Sequence, residues 1–218
     1  MTAEPQAERR RPGPRTDIRA RDLVIDVAER LFAESPPEGI SLRAVAREAG
    51  VAPAAVKYHF GTKAGLLEAV FRRRGADLAE RVRDRLAAAA DRPGRLSARD
   101  LVEAILLPYV EIIADDPARG LRWMKIYVRL AMGQDPLWVA EVDRDPSIGA
   151  LFITVASRAL PDLTDLEVQR RTGIAMFTML AALSNADVPA YGYAAGPEGL
   201  DPRFVEQLVV FTSAGLEG

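Results

Sequence analysis

The sequence predicts an all-α fold, with an N-terminal three-helix domain of helix-turn-helix type and a larger C-terminal helical domain, about nine helices in total. Three observations carry that prediction. Apolar residues recur at the i, i+3, i+4, i+7 spacing of amphipathic helices along most of the chain. Capping residues and prolines punctuate that pattern where one helix must stop and another begin. No segment alternates apolar and polar residues convincingly enough to read as a strand. At 218 residues, 49% hydrophobic and 28% charged, the chain has the composition of a globular protein and the length for two unequal cores.

Taken in order, residues 1–16 hold three prolines, a glycine and four arginines without apolar periodicity, so they read as a flexible basic arm. From Asp17 the pattern changes. Val24, Val27, Ala28, Leu31 and Phe32 share one helical face, and that helix ends before Pro36-Pro37. Ser41 is an N-cap for a short helix whose apolar face is Leu42, Val45, Ala46 and Ala49, closed by Gly50-Val51. Pro53 suits the first turn of the next helix, where its missing N–H costs nothing, and Thr62 opens a long helix running towards residue 90. This divides the chain into an N-terminal helical unit at residues 17–62 and a larger one at 63–218. In the second domain Ser97 and Asp100 form a capping box before a helix over 101–114, which Pro108 should kink. Further helices are expected over 117–131, 146–160, 164–185, with Thr164 and Glu167 as its capping pair, and 201–214. Residues 188–200, rich in Gly, Pro and Ala, read as the longest internal loop.

Function is most legible between residues 41 and 60. Two helices crossing at a tight turn need a small side chain where their backbones approach, a residue tolerant of positive φ in the turn, and an apolar residue that locks the second helix back. Ala46, Gly50 and Val56 stand at those positions. The second helix then presents Pro53, Ala54, Ala55, Lys57 and Tyr58 outward. Ala54 and Ala55 permit close approach to a major-groove floor, and Lys57 can donate to guanine or phosphate. Tyr58, His59 and Lys63, with Ser41 and Arg43 at the start of the first motif helix, are suited to backbone phosphates. Charge agrees with this polarity: residues 1–74 carry 14 Lys/Arg against 10 Asp/Glu, and residues 75–218 carry 15 against 21. The chain has no Cys and one His, which removes thiolate chemistry and limits metal chemistry, so no catalytic residue, metal site or cofactor is expected. An all-helical enzyme and an architectural DNA-binding protein without a ligand remain as alternatives.

The run ISLRAVAREAGVAPAAVKYHFGTKAGLLEAVF resembles the TetR family of bacterial transcriptional regulators. The resemblance covers about residues 18–72 and includes Ala-Gly-Val, Tyr58-His59-Phe60, Lys63 and Leu66-Leu67 at the family's spacing. Lys57 departs from it, standing where many members carry an apolar or small polar residue. The start of the chain carries paired arginines but no continuous apolar stretch of the kind a signal peptide or membrane span needs, so a cytoplasmic protein is expected. The resemblance implies a homodimer on a near-palindromic DNA operator, with residues 17–62 as the DNA-binding domain and 63–218 as the ligand-binding and dimerisation domain, where a small-molecule effector shifts the separation of the two DNA-reading heads, so that a repressor is released. No membrane association is expected. A cavity in that domain would draw on a pool of large side chains that includes Ile105, Leu106, Tyr109, Trp123, Met124, Tyr127, Trp138, Phe152, Met176 and Phe177, which favours a largely hydrophobic effector. Of these, Ile105, Tyr109, Trp123, Tyr127, Trp138, Phe152 and Phe177 are the expected ligand-binding residues. Arg122 and Arg129 can face either a ligand carboxylate or a surface ion pair. The helices at 166–185 and 201–214 carry more apolar surface than one monomer core requires, which points to a four-helix dimer interface; completion of the monomer core is the alternative.

Overall fold

A computed structural model describes residues 14–218, with side chains from Ile18 onward. The basic arm lies, up to residue 13, outside the described residues. Ten α-helices follow in order: α1 (Pro14–Glu34), α2 (Leu42–Glu48), α3 (Pro53–Phe60), α4 (Lys63–Asp91), α5 (Ala98–Asp115), α6 (Pro117–Met132), α7 (Pro136–Val142), α8 (Pro146–Ala159), α9 (Asp165–Ser184) and α10 (Pro202–Glu217). The expected boundaries at capping signals hold to within a few residues. Both capping boxes form, Ser97 with Asp100 and Thr164 with Glu167, each side chain satisfying an otherwise orphaned N–H of its partner. α5 runs unbroken through the buried Pro108.

Two elements depart from expectation. α7 has no counterpart among the expected helices, because its apolar residues Leu137, Trp138, Val139, Ala140 and Val142 mark no single face; its signal is Asp135, whose carboxylate caps the Leu137 N–H at 2.8 Å, followed by Pro136. The segment 188–200 is not entirely loop. It contains a 3-10 turn at Pro189–Tyr191 and a minimal antiparallel hairpin, β1 (Ala195–Gly196) and β2 (Gly199–Leu200), that packs on α5 and α6.

The buried side chains form two cores. The first joins α1, α2, α3 and the start of α4 around Phe32, Val45, Ala46, Val56, Leu66 and Phe71. The second joins α4, α5, α6, α8, α9 and α10 around Leu86, Leu101, Ile112, Trp123, Leu180 and Leu183. α4 and α6 belong to both. Ile126 and Leu130 of α6 are buried in the first core while Trp123, Met124 and Val128 are buried in the second, and Tyr127 touches each. At its start α6 passes very close to α5: a Cβ on Gly120 would lie 2.5 Å from the Ile112 carbonyl oxygen, so only glycine fits.

Polar contacts fasten the same junction. The Trp123 indole N–H donates to the Phe71 carbonyl at 2.9 Å, in the buried interior. Asp26 of α1 accepts from Arg73 of α4 and from Arg119 of α6. Arg129 donates to the carbonyls of Phe32, Ala33 and Ser35, and so caps the C-terminus of α1, where partial negative charge collects. The guanidinium expected to meet a ligand carboxylate or a surface acid therefore does neither. Arg122 is half-exposed on the same helix. An equivalent clamp ends α4, where Arg158 of α8 reaches the carbonyls of Ala90, Arg92 and Gly94.

Candidate DNA interface and ligand cavity

The motif between residues 41 and 60 has the geometry that its spacing implied. Ser41 Oγ accepts from the Ala44 N–H at 3.1 Å and starts α2. Gly50 adopts φ +66°, a conformation that costs a residue with a Cβ about 1–2 kcal/mol, and the Val51 N–H returns to the Ala46 carbonyl at 3.0 Å to close the turn. Val45, Ala46 and Val56 are completely buried, so α2 and α3 are locked together from both sides of the turn. α3 consequently shows its other face to solvent. Pro53, Ala54 and Lys57 are exposed, Ala55 and His59 half-exposed, and Tyr58 is 80% exposed, far above what an aromatic side chain normally leaves in water.

Ser41 and Arg43 stand exposed at the start of α2. The His59 ring lies edge-on to Tyr58 with centroids 5.2 Å apart. Lys63 is half-buried and its ammonium donates to the Glu38 carbonyl at 3.1 Å, which draws it towards the turn before α2. Arg21 of α1, whose guanidinium rests 5.6 Å from the centre of the Phe60 ring, adds a positive charge beside α3 that the periodicity of α1 gave no means of assigning.

The second feature is a cavity of about 450 Å³, open to solvent beside α7, lined by residues of α4, α5, α6, α7, α8 and α9. Of the seven side chains expected to bind a ligand, Ile105, Tyr109, Tyr127, Trp138 and Phe152 line it, as does Met176 from the wider pool. Trp123 and Phe177 do not. Trp123 is fully buried behind the wall, held by Phe71. Phe177, the next residue along α9 from Met176, is turned by about 100° from it and lies on the outer groove of α9 with Leu166 and Ile174. A large part of the wall comes from α4: Phe71, Gly75, Leu78, Ala79, Val82 and Leu86 follow one another at helical spacing, a stripe visible in the sequence but not singled out there.

One end of the cavity is aromatic. Phe71 and Tyr127 stack with an interplanar angle of 2° and centroids 5.6 Å apart, and Tyr109 meets Tyr127 edge-on. The two phenol oxygens are 3.2 Å apart and share a hydrogen bond. Burial raises the pKa of Tyr109 well above the ordinary phenol value and raises that of Tyr127 as well, so both are neutral hydroxyls in the physiological range. The Trp138 indole N–H lies near enough to the Tyr127 hydroxyl to influence it, yet has no partner in hydrogen-bond geometry. This end thus offers neutral donors within an apolar wall.

A bihelical corner with a bare second helix, mounted on a helical body with an apolar cavity, defines a helix-turn-helix transcriptional regulator. Residues 24–70 match the bacterial regulatory proteins of the tetR family, and residues 103–215 match the Tetracyclin repressor-like C-terminal domain. The chain belongs to the TetR family. It is 36% identical over 109 residues to the transcriptional repressor Rv3405c of Mycobacterium tuberculosis and to the regulator Mb3439c of Mycobacterium bovis, the aligned stretch spanning 47% of this chain and 57% of each relative. Among solved structures it resembles a TetR-like regulator from Rhodococcus sp. RHA1, at TM-score 0.61 and 20% identity over 96% of this chain and 100% of that one. It also resembles the ketosteroid transcriptional regulator KstR2 of M. tuberculosis, at TM-score 0.63 and 18% identity over 89% and 93% of the two chains. At such identities the structural likeness is one of fold. Among the described residues no helix is long and apolar enough to cross a membrane.

Proposed function

We propose that the chain is a cytoplasmic, ligand-released repressor, acting as a homodimer that sets its two α3 helices in successive major grooves of a near-palindromic operator. Base edges are read by Ala54, Ala55 and Lys57, while Ser41, Arg43, Tyr58, His59 and Lys63 hold phosphates and Pro53 sets the start of the reading helix. The dimer closes through α9 and α10, where Ile174 and Phe211 are 70% and 69% exposed.

The observation that carries the effector reading is that cavity and DNA-binding head share a wall. Phe71 belongs to the first core and lines the cavity, and Tyr127 packs against both cores. A molecule filling the cavity presses on side chains that position α1 and the start of α4, so its binding energy differs between head positions. Only such a difference releases DNA, and a coupling of about 1–3 kcal/mol is typical.

The DNA assignment is tested by the double variant Lys57→Ala/Tyr58→Ala in a titration against the promoter region of its own gene. Both side chains are solvent-exposed, so helicity and oligomeric state should persist while operator affinity falls at least about a hundredfold, two contacts of about 1–3 kcal/mol being lost per head. Unchanged affinity refutes the assignment.

A further inference from the structure

We infer that the effector is a hydrophobic cation, a molecule with a ring-sized apolar body and a protonated amine; the inference rests on the cavity being the effector site. Every charged side chain that lines the cavity is a carboxylate: Glu141, Asp143 and Asp145 stand at the end formed by α7 and the start of α8, and no Lys, Arg or His lines it among the described residues. The three are not equivalent. Glu141 is held by Arg144 at 3.0 Å, with Arg72 at 3.9 Å, and Asp145 by Arg83 at 3.1 Å while it also caps Ser147. These guanidinium groups are not part of the lining, so an entering molecule meets the carboxylates. Asp143 has no ion-pair or hydrogen-bond partner for its carboxylate among the described residues.

An anionic ligand entering this cavity would lose its hydration, pass one unpaired carboxylate and two paired ones, and find no cation in the lining to replace water. A cation finds the reverse. Its charge can rest on Asp143 at the rim, and its apolar body fills the space among Leu78, Val82, Ile148 and Phe152. The rim also reports occupancy. Arg72 and Arg83 belong to α4, the helix that leaves the DNA-binding motif, and a bound cation competes with them for Glu141 and Asp145.

The test is a fluorescence titration of the full chain with three probes on one skeleton, 1-pyrenemethylamine, 1-pyrenemethanol and 1-pyrenecarboxylic acid. The amine should bind about tenfold more tightly than the acid, with the alcohol between them. Asp143→Asn, at an exposed position, should bring the amine close to the alcohol and leave the alcohol unchanged. Gly149→Trp supplies the control for place: Gly149 lines the cavity, a Cβ there meets nothing within 4 Å, and the added indole should block all three probes. Acid binding as tight as amine binding, still blocked by Gly149→Trp, overturns the cationic class and leaves the cavity as the site. An Asp143→Asn variant that keeps the full amine preference overturns it too. If binding survives Gly149→Trp, or no probe binds, the site itself is wrong and the class falls with it.

Discussion

Glu29 is the residue at which burial and charge conflict most openly. It is 1% exposed in the middle of α1, one of its carboxylate oxygens is buried without a hydrogen-bond partner, and the charges around it are Arg74, Arg73, Arg119 and Asp26. Desolvation outweighs the attraction of the three arginines, so its pKa is raised from the ordinary value of 4.5. A raised pKa means that the folded chain holds this proton more firmly than the unfolded chain does. The corresponding stability is complete below pH 4.5 and is lost as pH rises through the folded-state value. Glu29→Gln should therefore flatten the pH dependence of stability in the window immediately above pH 4.5 and raise stability at neutral pH, on the order of 1 kcal/mol. Urea unfolding of both proteins at pH 4, 5, 6 and 7 checks it: parallel curves across that range would show that the three arginines already compensate the charge.

Among the helices, most of those with chemical punctuation were legible, α7 with its Asp135 cap and Pro136 being the exception, whereas the spaces defined by neighbouring helices were not. Ser41, Ser97 and Thr164 mark starts that the structure reproduces, because a cap is a local contact made within three residues. The helix-turn-helix was legible for the same reason, since Ala46, Gly50 and Val56 constrain one another within eleven residues. The cavity depends on which faces of six helices converge, and periodicity says only that a face is buried. Trp123 and Phe177 show the difference, both being large apolar residues on the right helices but turned behind or away from the space.

α9 and α10 illustrate the same limit from the outside. The surplus apolar surface expected there divides in two: Leu180, Leu183, Leu208 and Val209 finish the monomer core, while Leu166, Ile174, Val210 and Phe211 remain exposed. Phe211→Glu should leave monomer stability within about 0.5 kcal/mol, since the side chain is in water already. In light scattering after gel filtration the unaltered chain should run as the proposed dimer and the variant as a monomer. Operator affinity should then fall by about 10² to 10⁴, the advantage of two linked half-site contacts. A Phe211→Glu chain that stays dimeric places the interface elsewhere.

For the molecule as a whole, the shared membership of α4 and α6 decides how it unfolds. A head joined to its body by a hinge alone would melt separately, at a free energy set by its own small core. Here the first core includes Ile126 and Leu130 of α6, the C-terminus of α1 is capped by Arg129, and Phe71 is both core and cavity wall. Removing the body would expose those side chains and leave the α1 carbonyls to water, so the head has little stability of its own and the two cores should be lost together. The two tryptophans make this measurable. Trp123 lies at the junction, bonded to Phe71, and Trp138 packs against the first core from α7 while lining the cavity. Urea transitions followed by tryptophan fluorescence, which reports the junction, and by far-UV circular dichroism, which reports all helices, should coincide in midpoint and slope. Phe71→Ala should shift both midpoints down together, by about 3–5 kcal/mol of stability. A helical signal that persists after the fluorescence change is complete would mean that the heads move as independent bodies, and that the wall between cavity and DNA-binding motif transmits nothing.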